Sequence, residues 1–325
     1  MNRRFFLKCA ATGLLVPSAF AVPPVRYRVL SGSAVNPFRT WNFADGLPSI
    51  FKHNGTWRVS GGVLVNEPTL GPELVTNGGF DEDTGWTKGT GWTIDGGVAV
   101  ATTVTSANIS QSADIAKYLF YQVLLELTAS AGTVRILLGN DDVFPTIQHG
   151  TAGSKTLTVR THSTIVVGGV ALRGSAAFTG TVDNLSCKLI NITTVPSFVD
   201  LRTPNASITA SVASLTGGTQ VGILAHYLDE NNFLYLVFDG SGNVKAVERI
   251  AGTYSADRLS VASAFSANDQ LQVISSNGTV TVKKNGTTLT GSPFALNAAL
   301  IGGTKFGLFS TYSGNQITSC TFAKV

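Results

Sequence analysis

The residues that could carry chemistry in this chain are few and widely spread. Four histidines stand singly among 325 residues, and the three cysteines, Cys9, Cys187 and Cys320, are too distant for a disulfide framework or a cysteine-rich metal site. Cys187 and Cys320 are expected to be small buried hydrophobes, and His149, His162 and His226 to be hydrogen-bonded structural residues. No G-x-S-x-G elbow, H-E-x-x-H pair, Walker loop or C-x-x-C pair occurs, so a catalytic triad or a zinc hydrolase has no anchor. Glycoside hydrolysis needs only two carboxylates. The acids here mostly stand in turns beside Gly or Asn, where a structural role suffices, so a non-enzymatic protein is expected. What remains is aromatic: Trp86, Trp92 and Tyr227 offer ring faces on which a sugar could stack, with core packing as the competing and stronger role for the two tryptophans. Asp229, Asn231 and Asn232 read as turn residues that bond their own backbone.

The elements that must position these residues are strands. Hydrophobic residues make up 43% of the chain and charged residues only 13%, with 35 glycines, and Thr, Ser and Val recur in short runs. That composition fits a β-rich protein with many tight turns, long enough for two cores. The net charge of +4 is unevenly placed. Six basic residues (Arg3, Arg4, Lys8, Arg26, Arg28, Arg39) precede the first acid, Asp45, leaving 17 basic against 19 acidic side chains in the rest, a net of −2. The body is therefore not a polyanion binder, and no nucleic-acid partner is expected.

Asn2-Arg3-Arg4-Phe5-Phe6-Leu7-Lys8 carries the R-R-x-F-L-K pattern of a twin-arginine export signal, followed by a moderately apolar stretch, Ala10 to Val22, that ends in Ala19-Phe20-Ala21. The stretch is too short for a membrane span. Two roles are open: export with cleavage after Ala21, or a retained docking peptide that packs into a larger assembly, the second being favoured. Residues 23–40 alternate apolar and basic side chains, then break at Gly32 and Pro37, as an extended strand and linker able to add to a partner's sheet edge.

Residues 71–80, Gly-Pro-Glu-Leu-Val-Thr-Asn-Gly-Gly-Phe, run on through Asp81-Glu82-Asp83-Thr84-Gly85-Trp86 to Gly91-Trp92 and a Gly96-Gly97 turn. The strand-like runs Gly97–Ile109, Tyr118–Thr128, Thr133–Gly139, Ser154–Thr161, Ser163–Leu172 and Gly180–Ile190 follow, spaced as in an antiparallel sandwich. The opening and the closing Thr181-Val182-Asp183-Asn184-Leu185-Ser186-Cys187 resemble the two ends of a carbohydrate-binding-module-like jelly roll. The resemblance implies a structural calcium shared by Asp81 and Asp183, which suits a hard cation, although an Asp stands where a Glu is common.

Before this unit, Trp41-Asn42-Phe43-Ala44-Asp45-Gly46 and Gly55-Thr56-Trp57-Arg58-Val59-Ser60-Gly61-Gly62 resemble the start of a concanavalin A-like or laminin-G-like sandwich. After it, the hairpin around Asp229–Asn232, the Asn277-Gly278 and Asn285-Gly286 turns, and Lys305-Phe306-Gly307-Leu308-Phe309 resemble the rest of one. The expected architecture is all-β: two antiparallel β-sandwiches (jelly rolls), with residues 71–191 inserted into a sandwich made of 36–70 plus 192–325, and residues 1–35 as a short apolar and basic segment. Insertion at a surface turn is tolerated when the ends of the inserted unit lie close together. These resemblances imply a non-enzymatic structural virion protein of a bacteriophage, in a tail fibre, tail tip or head decoration. It would contact other virion proteins through residues 1–40 and bind a host-surface glycan as a homo-oligomer, weak sites gaining avidity through copy number. The alternatives are a twin-arginine-exported periplasmic or surface glycan-binding protein and a polysaccharide depolymerase.

Overall fold

A computed structural model describes residues 39–325 apart from 45, 140, 143–147 and 162–167. The signal-like stretch 2–22, the extended stretch 23–38 and His162 lie outside the described residues. Among the described residues there is no α-helix, only two single 3₁₀ turns, Ile192–Thr194 and Ala298–Leu300. The remaining regular structure is strand, in three antiparallel sheets. The protein is all-β, as its composition leads one to expect.

Local chemistry sets the hairpins. Asp269–Ser276, Thr279–Lys284 and Thr287–Thr288 are joined by Asn277-Gly278 and Asn285-Gly286, with φ of 50° and 75°, then 50° and 80°. Two consecutive left-handed residues match the twist of the flanking strands, and Asn followed by Gly adopts them at least cost. Along these strands the period-2 pattern points Leu271, Val273, Val280 and Val282 inward and leaves Gln272 and Lys283 on the outer face.

The first sheet joins Trp57–Ser60, Val63–Asn66, Gln316–Lys324, Ala206–Ser214, Asp269–Ser276 and Thr279–Lys284, with Arg39–Asn42 also pairing on Gln316–Lys324. Strands from before residue 70 thus share a sheet with strands from after residue 205, in the registers Thr40↔Thr321 and Leu64↔Ile317. The second sheet has seven strands, with Pro196–Asp200, Lys305–Ser310, Val221–Asp229, Asn232–Phe238 and Asn243–Ile250 in that order. Leu64, Ile208 and Val273 from the first meet Ile223, Leu236 and Phe306 from the second in one core, with Phe43, just after Arg39–Asn42, packed among them.

The ten strands of the third sheet all lie between residues 70 and 190 and fill a separate core with Phe80, Trp92, Ile109, Val123 and Phe178. Two strands dominate it, Phe120–Leu138 and Val170–Ile190, paired from Leu138↔Val170 to Tyr121↔Leu189. Sequence patterning divides each into two shorter strands. The structure runs each through, because a bulge at Ser175–Thr179 bends the ladder without ending it. Ala176 and Ala177 take φ of 55° and 59° there, and Gly132 opposite is so close that a Cβ would lie 2.5 Å from the Phe178 nitrogen.

A third cluster forms where this middle sheet meets the outer face of the seven-stranded sheet. Phe120 and Ile190 pack with Leu224, Tyr235, Tyr254 and Phe309. Tyr235 stacks on Phe309 at 4.8 Å between centroids, 8° from parallel. Arg160, only 5% exposed, donates from Nη1 to the Tyr235 hydroxyl (2.8 Å), and the Arg160 and Arg249 guanidinium groups lie 4.5 and 4.6 Å from the Tyr254 ring. Arg249 Nη1 also donates to the Tyr118 carbonyl at 2.8 Å. A buried cation needs such partners, since desolvation would otherwise outweigh its attractions.

Candidate functional site

The stretch Gly71–Gly97 is organised by its side chains from within. Asn77, at φ 48°, donates from Nδ2 to the carbonyls of Glu82 (2.6 Å) and Thr84 (3.0 Å), and its own carbonyl accepts the Trp86 indole N–H at 3.0 Å. Trp86 is 6% exposed and packs on Phe80, with centroids 4.9 Å apart. Trp92 is 3% exposed, donates to the Ala107 carbonyl at 3.1 Å and faces Phe178. The stacking role considered for these two rings is therefore corrected: their faces are covered by core side chains, and both indole N–H groups are satisfied internally.

The acids distribute differently from the calcium pairing that the resemblance implies. Asp81 is exposed, and Asp183 accepts on Oδ1 from the Asn184 amide at 2.6 Å. Among the described residues no group of three or more His, Cys, Asp or Glu could hold a metal ion. The tie between the start of the unit and its last strand is made by Glu73, which accepts from Ser186 Oγ (2.5 Å) and the Cys187 amide (2.8 Å), with Lys188 Nζ at 3.9 Å. Burial pushes the Glu73 carboxyl up, but these hydrogen bonds, that of the Val75 amide and the Lys188 charge outweigh it and hold it below its ordinary value. Cys187 is buried beside it, and burial drives its thiol up to about 12.

Tyr227 is 9% exposed, stacked on Phe198 at 4.7 Å with Lys305 Nζ 5.7 Å from its ring, and burial pushes its hydroxyl up to about 12. Its ring too is occupied within the protein, which corrects its candidacy for stacking. Asp229 accepts from the Asn231 amide and the Asn232 side chain, the work of a turn acid. His226, at φ 50° in a strand bulge, is buried with Nε2 2.7 Å from Ser275 Oγ and bridges the two facing sheets.

What the structure does assemble lies on the outer face of the middle sheet. Ser154, Glu126 and Asp183 are in register on adjacent strands, and so are Thr128 and Thr181. The two threonine hydroxyls hydrogen-bond at 2.7 Å, and Thr128 Oγ1 accepts the Thr181 amide at 2.9 Å. With Val98 and Leu127 these residues line a cleft of about 460 Å³ that contains no cationic side chain. Its carboxylates and hydroxyls can accept and donate hydrogen bonds to a polyhydroxylated ligand. A second cleft, about 320 Å³, is lined by Glu67, Leu70, Gln122, Tyr312 and Ser313 where the chain crosses into the middle unit. Sequence reasoning missed Glu126 and Tyr312. Glu126 does fall in the outward phase of the Phe120–Leu138 alternation, but its partner Asp183 is found only through strand register.

Fold and cleft together define an all-β chain with an open cleft on one of its sheets, lined by hydroxyl, carboxylate and apolar side chains. No family model and no curated relative matches the chain. Among solved structures it is similar to the galectin LEC-6 of Caenorhabditis elegans, at 15% identity over 38% of this chain and 86% of that one, with a TM-score of 0.32. It is also similar to the GH43 BlXynB protein of Bacillus licheniformis (10% identity, 80% of this chain, 65% of that one, TM-score 0.34). A third likeness is to a tail fiber protein from an E. coli phage (13% identity, 70% of this chain, 36% of that one, TM-score 0.25). No TM-score of the three exceeds 0.34, and none of these likenesses decides a function.

Proposed function

We propose that this chain is a non-enzymatic glycan-binding protein of a bacteriophage virion, a tail fibre, tail-tip or decoration component. In it a jelly roll of residues 71–191 is inserted into a sandwich of residues 36–70 and 192–325. The observation that carries glycan binding is the open cleft of small-ligand size in which the carboxylates and hydroxyls of Glu126, Asp183, Thr128, Thr181 and Ser154 stand beside Val98, Leu127 and Ala152. The virion assignment rests on the resemblance of both units to sugar-binding sandwiches and on the basic and apolar segment 1–35, read as a docking peptide. Through it residues 1–40 would contact other virion proteins, and a homo-oligomer would multiply shallow sites.

Retention of the purified chain on a glycan array and on host cells tests the first part, and mass spectrometry of purified particles tests the second. Absence of retention on every glycan and cell would remove the binding role, and absence from particles would remove the virion role. The R-R-x-F-L-K pattern at Arg3–Lys8 favours one second reading, an exported periplasmic or surface glycan-binding protein. An intact-mass measurement showing loss of residues 1–21 would select it.

A further inference from the structure

We propose that the cleft of Tyr312 is a second saccharide site, in which a neutral pyranose ring stacks on the tyrosine; the ligand class rests on the glycan-binding reading above. Every other aromatic side chain among the described residues belongs to one of the three hydrophobic clusters or packs against one, and Tyr312 alone does neither. Leu70, one of four large apolar side chains left exposed among the described residues, lines the same cleft with Pro68, Gln122 and Ser313. A single exposed apolar residue needs no explanation. An aromatic ring and an aliphatic side chain that share one cleft of about 320 Å³ with an amide and a hydroxyl have the make-up of a small-ligand pocket.

The turn that carries Tyr312 is fixed from both sides. Thr311 Oγ1 accepts the Gln220 amide at 3.0 Å and hydrogen-bonds the Thr158 hydroxyl at 2.6 Å. Asn315 accepts on Oδ1 from the Thr216 amide (3.0 Å) and the Thr219 hydroxyl (2.9 Å), and donates from Nδ2 to the Gln220 carbonyl (3.1 Å). At Gly314 a Cβ would stand 2.7 Å from Tyr312 Cε1, so the ring rests against backbone that only glycine leaves open. The ring is thereby placed before a ligand arrives, which lowers the ordering cost of binding. Thr158, bonded to this turn, is also the register partner of Gln122, which brings the amide to the same cleft.

A pyranose with equatorial hydroxyls shows a patch of C–H bonds on its ring face, and that patch packs on an aromatic ring as an apolar group does. The Gln122 amide both donates and accepts, and the Ser313 hydroxyl does the same, so neighbouring sugar hydroxyls find partners beside the ring. Glu67, the one charged residue of the lining, is paired with Arg58 at 2.9 Å, which suits a neutral sugar. Gln122 shares the outward face of Phe120–Leu138 with Glu126, about 13 Å further along the strand. The two clefts are therefore separate positions.

The test uses the full chain with isotope-labelled tyrosine rings, titrated with cellotetraose and with chitotetraose and followed by NMR. The Tyr312 signals are those missing from Tyr312→Phe. At least one tetrasaccharide should shift them, and Tyr312→Ala should weaken its binding by about three- to tenfold, the scale of one stacked ring. Tyr312→Phe, which keeps the ring, should recover most of that loss. Leu228→Ala removes a side chain as exposed as Leu70 but outside the cleft, and should bind as the unaltered chain does. Tyr312 signals unmoved by both tetrasaccharides, or an affinity unchanged in Tyr312→Ala, would overturn this site while leaving glycan binding elsewhere on the chain standing. Unmoved signals together with an empty glycan array would overturn both.

Discussion

Phe120 belongs to neither of the two larger cores; it is 1% exposed and sits in the cluster between the middle sheet and the seven-stranded sheet. Its ring lies 5.7 Å from Tyr254, 6.0 Å from Phe309 and 6.4 Å from Tyr235, all contributed by the flanking sandwich. Phe120→Ala should therefore cost about 3–5 kcal/mol, the range for a buried phenylalanine whose site cannot collapse. The loss falls on the packing of the middle sheet against the seven-stranded sheet, not on either of the two larger cores. Phe178→Ala is the matched control, since Phe178 is equally buried but lies wholly in the core of the middle unit.

The two variants are separated by a double-mutant cycle against Tyr254→Leu, followed by urea unfolding. Trp86 and Trp92 report on the middle unit, Trp41 and Trp57 on the flanking sandwich. Residues in contact couple by about 0.5–3 kcal/mol, and distant sites add within about 0.3–0.5 kcal/mol. Phe120→Ala with Tyr254→Leu should show a coupling above about 1 kcal/mol, and Phe178→Ala with Tyr254→Leu should be additive. Additivity in both pairs would refute the claim that this aromatic cluster holds the middle sheet against the seven-stranded sheet.

Three further outcomes follow from the same contacts. His226 is buried, and burial holds its imidazole down at about 4, so the unfolded chain, near 6.5, takes up the proton first; its contribution is full above pH 6.5 and is lost as pH falls towards 4. Between pH 7 and 4.5 that amounts to about 2–3 kcal/mol, read as a drop in urea midpoint that His226→Gln should largely abolish; an equal drop in both proteins would refute it. Glu73→Ala should destabilise by about 1.5–3 kcal/mol, the scale of hydrogen bonds to a charged acceptor, while Asp81→Ala stays within about 0.5 kcal/mol as a surface change. The reverse order in urea unfolding would reinstate Asp81 as the residue that closes the unit. Gly132→Ala should cost at least about 1–3 kcal/mol through its left-handed φ of 66° and its collision with the Phe178 backbone; an unchanged melting temperature would show that the bulge is not fixed by that approach.

What was legible in the chain was local. The Asn277-Gly278 and Asn285-Gly286 hairpins are specified by two residues each, and the all-β class by the short runs of Thr, Ser and Val, the many glycines and the low charge. Features that depend on a partner strand were not legible. The Ser175–Thr179 bulge reads as a strand end because Ser, Ala and Gly are weak strand formers, and only pairing with Ala129–Thr133 keeps the ladder going. Trp86 and Trp92 follow turns, where an exposed platform and a core residue look alike until the covering side chains, Phe80 and Phe178, are placed. The tie made by Glu73 was not legible because its hydrogen-bond partners, Ser186 and Cys187, lie more than a hundred residues further on. Glu126 and Asp183 are 57 positions apart, and register alone makes them neighbours.

Where the aromatic side chains went bears on how this protein could hold a sugar. Tyr235, Phe309, Phe233 and Tyr227 lie on the outer face of the seven-stranded sheet, and Phe120, Ile190 and Arg160 of the middle unit join them there. The same packing that fastens the units leaves few rings for stacking. The open faces carry polar side chains instead: Thr40, Thr321, Thr209, Gln272 and Lys283 share one register row across the first sheet, and the middle sheet carries the Glu126–Asp183 cleft. Under the proposed function a single site of this kind makes shallow, hydrogen-bonded contact without the area that a stacked aromatic supplies. Binding strong enough to hold a particle on a cell would then require many copies on one particle, with the gain set by how well their spacing matches the glycan surface.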